Sequence, residues 1–135
     1  QQGFSCSQSV LGTFAPGLGI SEDDSLKIAT PFGAGMGRQQ MTCGAVTGAL
    51  MVLGLRFGMG KEDPSANKSL SYAKTVEFFN EFVKINGSLN CRELLDGLDM
   101  NDPSEYRQIV EKGMFENRCT KYVGDAVAIL ERILI

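Results

Sequence analysis

The sequence predicts an all-α protein, a single compact, bundle-like helical domain over residues 1–135 with an apolar central helix. Three observations predict it. Apolar residues recur at three- and four-residue spacing through most of the chain. Short Gly, Pro, Asn and Asp clusters separate the periodic segments. No segment shows the period-two alternation of a half-buried strand. A chain of 135 residues is the size of one domain and buries a real core without disulfide staples. With 43% hydrophobic and 21% charged residues, it has the makeup of a folded domain, not a disordered one. No repeat or low-complexity tract is visible.

Each element has its own signal. Ser5 is placed to cap a first helix over residues 6–15, in which Cys6, Val10 and Phe14 share a face before Pro16 and Gly17 stop it. Ser21 caps a second, with Glu22, Asp23 and Asp24 in the first turn, where acids complement the helix dipole. The stretch PFGAGMG, residues 31–37, lacks GxGxxG spacing, a preceding strand and the GK[ST] ending of a phosphate loop, so it reads as a connection. The central helix is expected over residues 39–57. Gly44, Gly48 and Gly54 interrupt it, each at a cost on the order of 1 kcal/mol relative to alanine. Close approach of a second helix at Gly44 and Gly48 would offset that cost.

After the connection at residues 58–67 an amphipathic helix is expected, with Tyr72, Val76, Phe79 and Val83 as its core stripe and Gly87 ending it. Asn90 caps a short helix, and Pro103 opens another that ends near Gly113. A last helix over residues 117–134 carries Cys119, Tyr122, Val123, Ala126, Leu130 and Ile133 on one side. The tyrosines and methionines fall on apolar faces or in loops, where packing is their expected use.

Composition removes whole classes of chemistry. Histidine is absent, so no Ser-His-Asp triad, Cys-His pair or HExxH zinc site can form within one chain. Proton chemistry falls to Cys, Asp, Glu, Lys or Tyr. The net charge is -3 and the basic residues are scattered, so nucleic acid is not an expected partner. The longest uncharged run, Gln39 to Leu55, is at the short limit of a membrane span and contains glutamines and threonines, so no stable membrane insertion is expected. A cytoplasmic location follows as the expectation. The first residue is Gln1, and whether a targeting segment was removed upstream is left open.

The four cysteines, Cys6, Cys43, Cys91 and Cys119, include no CxxC pair, so the zinc-ribbon and thioredoxin signatures are missing. Cys6 and Cys91 each follow a capping residue, in a first helical turn that favours a thiolate. Arg92 adjoins Cys91, and Arg118 and Lys121 flank Cys119. Each cysteine also shares a face with apolar residues, so all four point inward. Two readings follow: four small buried hydrophobes, or four sulfurs converging on one internal site.

The contexts CSQSVL around Cys6, GAGMGRQQMTCGAVTGALMVLGL around Cys43, NCRELLDGLD around Cys91 and RCTKYVGDAVAILE around Cys119 resemble the C_GCAxxG_C_C family over essentially the whole chain. This is a group of small, mostly bacterial proteins whose description as redox-active is itself an inference from their cysteines. Here the central signature reads Cys43-Gly44-Ala45-x-x-Gly48. The resemblance makes Cys6, Cys43, Cys91 and Cys119 the candidate functional residues, with Gly44 and Gly48 for packing or access. The family carries no settled reaction over to this chain; the first reading is thiol–disulfide exchange or electron transfer, with no cofactor required and a redox protein as partner. Pairs such as Cys6 with Cys43, or Cys91 with Cys119, would cycle. The alternative is an iron–sulfur cluster or zinc held by the same cysteines, and the third reading is a non-catalytic interaction domain. Whether the protein is an enzyme is left open, and a homo-oligomer is compatible with all three.

Overall fold

The computed structural model describes residues 3–135. Among these residues there are seven α-helices, joined in places by short 3₁₀ and π turns: α1 Cys6–Phe14, α2 Glu22–Ala29, α3 Gly44–Phe57, α4 Ala66–Asn86, α5 Cys91–Leu94, α6 Pro103–Glu111 and α7 Thr120–Ile133. The all-α expectation holds. Among the described residues, no helix is long and apolar enough to cross a membrane.

Capping signals fix most helix starts. Ser5 forms a reciprocal capping box with Gln8 at α1, satisfying two donors that the first turn leaves unpaired. Ser21, Asn90 and Asp102 each accept from a backbone N–H three residues on, at the starts of α2, α5 and α6. Pro103 occupies the first turn of α6, where a missing N–H costs nothing. Gly87 ends α4 with φ 85°. Pro16 and Gly17 do not stop the chain sharply. They lie in a tight 3₁₀ turn, Ala15–Leu18, that ends at Gly19.

Helix α3 is the centre of the bundle and packs against α1, α4 and α7. Val46, Ala49, Val52 and Leu53 of α3 are wholly buried among Val10 of α1, Phe78 and Phe82 of α4, and Ala126 and Leu130 of α7. A second, smaller core of Leu95, Met100, Ile109 and Met114 lies under the α5–α6 segment.

Three elements differ from expectation. Helix α3 starts at Gly44, not at residue 39. The five residues before it are held otherwise: the Cys43 N–H donates to the Leu89 carbonyl at 2.7 Å, the Cys91 N–H donates to the Met41 carbonyl at 2.6 Å, and Thr42 lies opposite Asn90 in an antiparallel bridge. Backbone pairing with a distant segment outweighs helix propagation there. On α4 the buried side chains are Phe78 and Phe82, whereas Tyr72, Val76 and Val83 of the expected stripe are exposed. Phe78 and Phe82 turn towards Tyr122 of α7 and the α3 core instead. The final helix is entered through one π-turn, Phe115–Cys119, so α7 begins at Thr120.

A candidate four-thiol redox site

The cysteines come from four separate places in the fold and meet where the two cores adjoin. Cys6 is the first residue of α1, Cys91 is the first of α5, and Cys43 and Cys119 immediately precede α3 and α7. All four line one cavity of about 230 Å³. All four are free thiols, Cys43 buried and the others half-buried. Its walls are mainly apolar, with Phe4, Leu94, Leu95, Met100 and Phe115 among the lining residues.

Two glycines bring α1 against α3. A Cβ on Gly44 would lie 2.9 Å from the Ser7 backbone nitrogen and 3.2 Å from the Cys6 Cβ. A Cβ on Gly48 would lie 2.8 Å from the Ser7 carbonyl oxygen. The missing side chains therefore let α1 lie directly on α3, and Cys6 comes with it. Ser7, buried in the same contact, donates to the Ala29 carbonyl at 2.9 Å and leaves no orphan hydroxyl.

The bridge between Thr42 and Asn90 sets Cys43 and Cys91 diagonally across one short pairing, on the same side of it. The next constraint ties α5 to α7. Arg118 holds Asp96 through two hydrogen bonds of 2.6 and 2.9 Å, and the Tyr122 hydroxyl donates to the Leu94 carbonyl at 2.8 Å. This clamp fixes the Cys91 segment against the Cys119 segment.

Cys6 and Cys119 act most strongly on each other. Hydrogen bonding between these two sulfurs is the largest influence on both, raising Cys6 and lowering Cys119. The Cys6 Sγ also stands 4.0 Å from the Cys119 carbonyl oxygen. Burial and the other three thiols push Cys6 further up, whereas burial opposes the lowering at Cys119. Burial pushes Cys43 up to about 11, partly offset by the Ala45 and Val46 backbone N–H groups. Burial, followed by the charges of Cys43 and Cys119, pushes Cys91 up to about 12. The thiolate thus falls to Cys119. The first-turn argument had favoured Cys6 and Cys91, but loss of water and crowding among thiols outweigh the helix dipole. The flanking cations are also engaged elsewhere: Arg92 on the Gly97 carbonyl, Lys121 on Asn86 and Asp125, and Arg118 on Asp96.

The PFGAGMG stretch has a role that its spacing concealed. Ala34 and Gly35 form part of the cavity wall. Ala34, Met36, Arg38 and Gln40 all have φ between 53° and 71°, a region that costs a non-glycine residue roughly 1–2 kcal/mol. A Cβ on Gly35 would meet the Gln40 Cα at 2.5 Å. Buried Gln40 holds the turn down. It donates to the Leu98 carbonyl and accepts from the Met100 N–H, both at 2.8 Å. The alternate glycines were the visible signal, whereas Gln40 and the Asp96–Arg118 pair had none.

The fold and this site define a small helical protein built around an internal four-thiol cavity. The family described as "Putative redox-active protein (C_GCAxxG_C_C)" matches residues 4–133, and the chain belongs to it. An uncharacterized protein of Archaeoglobus fulgidus is 29% identical over 113 residues, covering 78% of this chain and 75% of its own length. No solved structure matches.

Proposed function

We propose that the chain carries reducing equivalents as a dithiol–disulfide couple, with Cys119 as the attacking sulfur and Cys6 as the resolving one. The observation that carries this reading is that Cys6 and Cys119 meet at one cavity wall, with the Cys6 Sγ 4.0 Å from the Cys119 carbonyl oxygen, an approach that raises the Cys6 thiol and lowers the Cys119 thiol. The same two residues line a second, outward cleft of about 80 Å³, which gives a partner a way in. The reaction partner is a disulfide on another protein. The Cys119 thiolate attacks one sulfur of that disulfide, forming a mixed disulfide and releasing the partner's first thiolate. Cys6 gives its proton to that thiolate and attacks Cys119 Sγ, which releases the partner's second sulfur as thiolate. Two electrons have then passed to the partner, and the Cys6–Cys119 bond holds the oxidised state.

A second reading has its own support. Four cysteines on one cavity are the donor set of an iron–sulfur cluster, and the starts of α1, α3 and α5 beside it favour negative charge. Cys6, Cys43, Cys91 and Cys119 would hold such a cluster, which when bound supplies one-electron transfer. Zinc fits less well. Among the described residues, no three Cys, Asp or Glu side chains gather closely enough to hold a single metal ion.

One experiment separates the readings. Protein purified without oxygen is assayed for iron and sulfide, and its free thiols are counted while the potential of a thiol buffer is varied. The dithiol reading expects no stoichiometric iron and a reversible loss of two thiols that disappears in Cys119→Ser. Bound iron and sulfide with visible absorbance, lost on substitution of any cysteine, would establish the cluster instead. Four thiols that never oxidise in metal-free protein would refute both.

A further inference from the structure

We propose that the four-thiol cavity selects disulfides that stand beside a bulky apolar side chain, which it takes up while Cys119 attacks. This inference rests on the dithiol reading and names its substrate class. No Asp, Glu, Lys or Arg lines the cavity. Its hydroxyls are already engaged: Ser5 Oγ lies 3.1 Å from Ser7 Oγ and 3.3 Å from Gln8 Oε1, and the Tyr122 hydroxyl donates to the Leu94 carbonyl. Two neighbouring cations are committed as well, Arg38 to the Met100 carbonyl and Arg118 to Asp96. A carboxylate or ammonium carried into this space would lose its water and find no partner. The charge that the wall itself develops is the Cys119 thiolate, which repels an anionic substrate.

Size and shape agree with that chemistry. An apolar space of about 150 Å³ takes up benzene, so a cavity of about 230 Å³ has room for a phenylalanine ring or a leucine side chain. Phe115 is a fixed wall, packed on Tyr106 with ring centroids 5.8 Å apart. Phe4 is 42% exposed and lines both the cavity and the outer cleft, as do Cys6, Phe115 and Cys119. A side chain entering past Phe4 therefore covers an aromatic ring that the free domain leaves in water, and it brings the adjoining disulfide to Cys119. The Cys119 Sγ bonds to one substrate sulfur and the other leaves as thiolate, taking its proton from Cys6. Cys6 then bonds to Cys119 and frees the second substrate sulfur, so the substrate is reduced by two electrons and the pair is oxidised.

The test uses the full chain, reduced and then freed of reductant. It is mixed with disulfide-linked homodimers of dipeptides in which Phe, Leu, Ser or Glu precedes an amidated Cys, and with glutathione disulfide, which carries carboxylates. Each rate of thiol release is divided by the rate of the same disulfide with dithiothreitol, which removes differences in intrinsic reactivity. The Phe and Leu dimers should outpace the Ser dimer by about tenfold or more, the scale on which an apolar pocket discriminates. The Glu dimer and glutathione disulfide should be slowest. Phe4→Asp, at the exposed rim, should bring the Phe-over-Ser ratio towards one, whereas a merely structural loss would move all rates together. Circular dichroism confirms that this variant is folded. A ratio near one in the parent protein overturns the proposal and leaves the dithiol reading standing, and so does a ratio unchanged in Phe4→Asp. A protein that reduces none of these disulfides overturns the dithiol reading and the proposal with it.

Discussion

At the scale of single residues, the site divides four chemically identical side chains into unequal ones. Cys119 alone is favoured as thiolate, and a hydrogen bond from Cys6 is the main cause. At pH 7, iodoacetamide should therefore label Cys119 first, as peptide mapping by mass spectrometry would report. Cys6→Ala removes the donor and should slow that labelling. Unchanged labelling would mean that the pair does not set the reactivity. Cys43 and Cys91 behave in the opposite way. Their folded values, about 11 and about 12, stand above the ordinary 9.0, so the folded state holds protons that the unfolded state has lost. Stability from this source is intact below pH 9 and falls as pH rises through about 11 to 12. Urea denaturation at a series of alkaline pH values should show that decline, and the double variant Cys43→Ala, Cys91→Ala should flatten it.

At the scale of elements, two contacts position the sulfurs. The first is the helix crossing at Gly48. Gly48→Ala puts a methyl 2.8 Å from the Ser7 carbonyl oxygen, where backbone has to yield, and overpacking of this kind costs about 1–3 kcal/mol. Chemical denaturation should show the loss. Gly54→Ala, where a Cβ meets nothing within 4 Å, should be neutral or stabilising. The second contact is the left-handed turn before α3. Gln40→Leu leaves the Leu98 carbonyl and the Met100 N–H without their partner, a loss of about 2–4 kcal/mol for two buried polar groups. It should also loosen the cavity wall at Ala34 and Gly35, read as faster labelling of Cys43. Helix starts such as Ser5, Ser21, Asn90 and Asp102 were legible in the sequence because a cap is a local device. The start of α3 was not. It depends on a bridge to residues almost fifty positions away, and no local pattern in Gln39 to Cys43 announces that pairing.

At the scale of the whole molecule, the cysteines lie at the boundary between two hydrophobic cores. Cys6 and Cys43 belong to the larger core, and Cys91 and Cys119 to the smaller. Within the smaller core, the Asp96–Arg118 clamp holds the Cys91 segment against the Cys119 segment. Because the pair is exposed, Arg118→Ala should cost little stability. It should nonetheless shift the midpoint of the thiol redox titration, because a looser Cys91–Cys119 arrangement changes how easily the site accommodates oxidation. A midpoint identical to the parent protein would remove the clamp from the functional site. At this scale the α4 stripe shows the limit of periodicity. Tyr72, Val76, Phe79 and Val83 mark an apolar face correctly, yet periodicity cannot say which apolar face the domain keeps for itself when Phe78 and Phe82 offer another.

Local information was sufficient for the helical class, most caps and the four cysteine contexts, because spacing, capping and composition act within a turn or two of chain. The absence of histidine bounded the chemistry in the same way. Tertiary structure decided what depends on neighbours distant in sequence. It set Cys6 beside Cys119 and Cys43 diagonal to Cys91, turned Phe78 and Phe82 inward, and made Ala34 and Gly35 a wall. It also decided which thiol ionises most readily, since burial and hydrogen bonding, not the residue type or its helix turn, set that order.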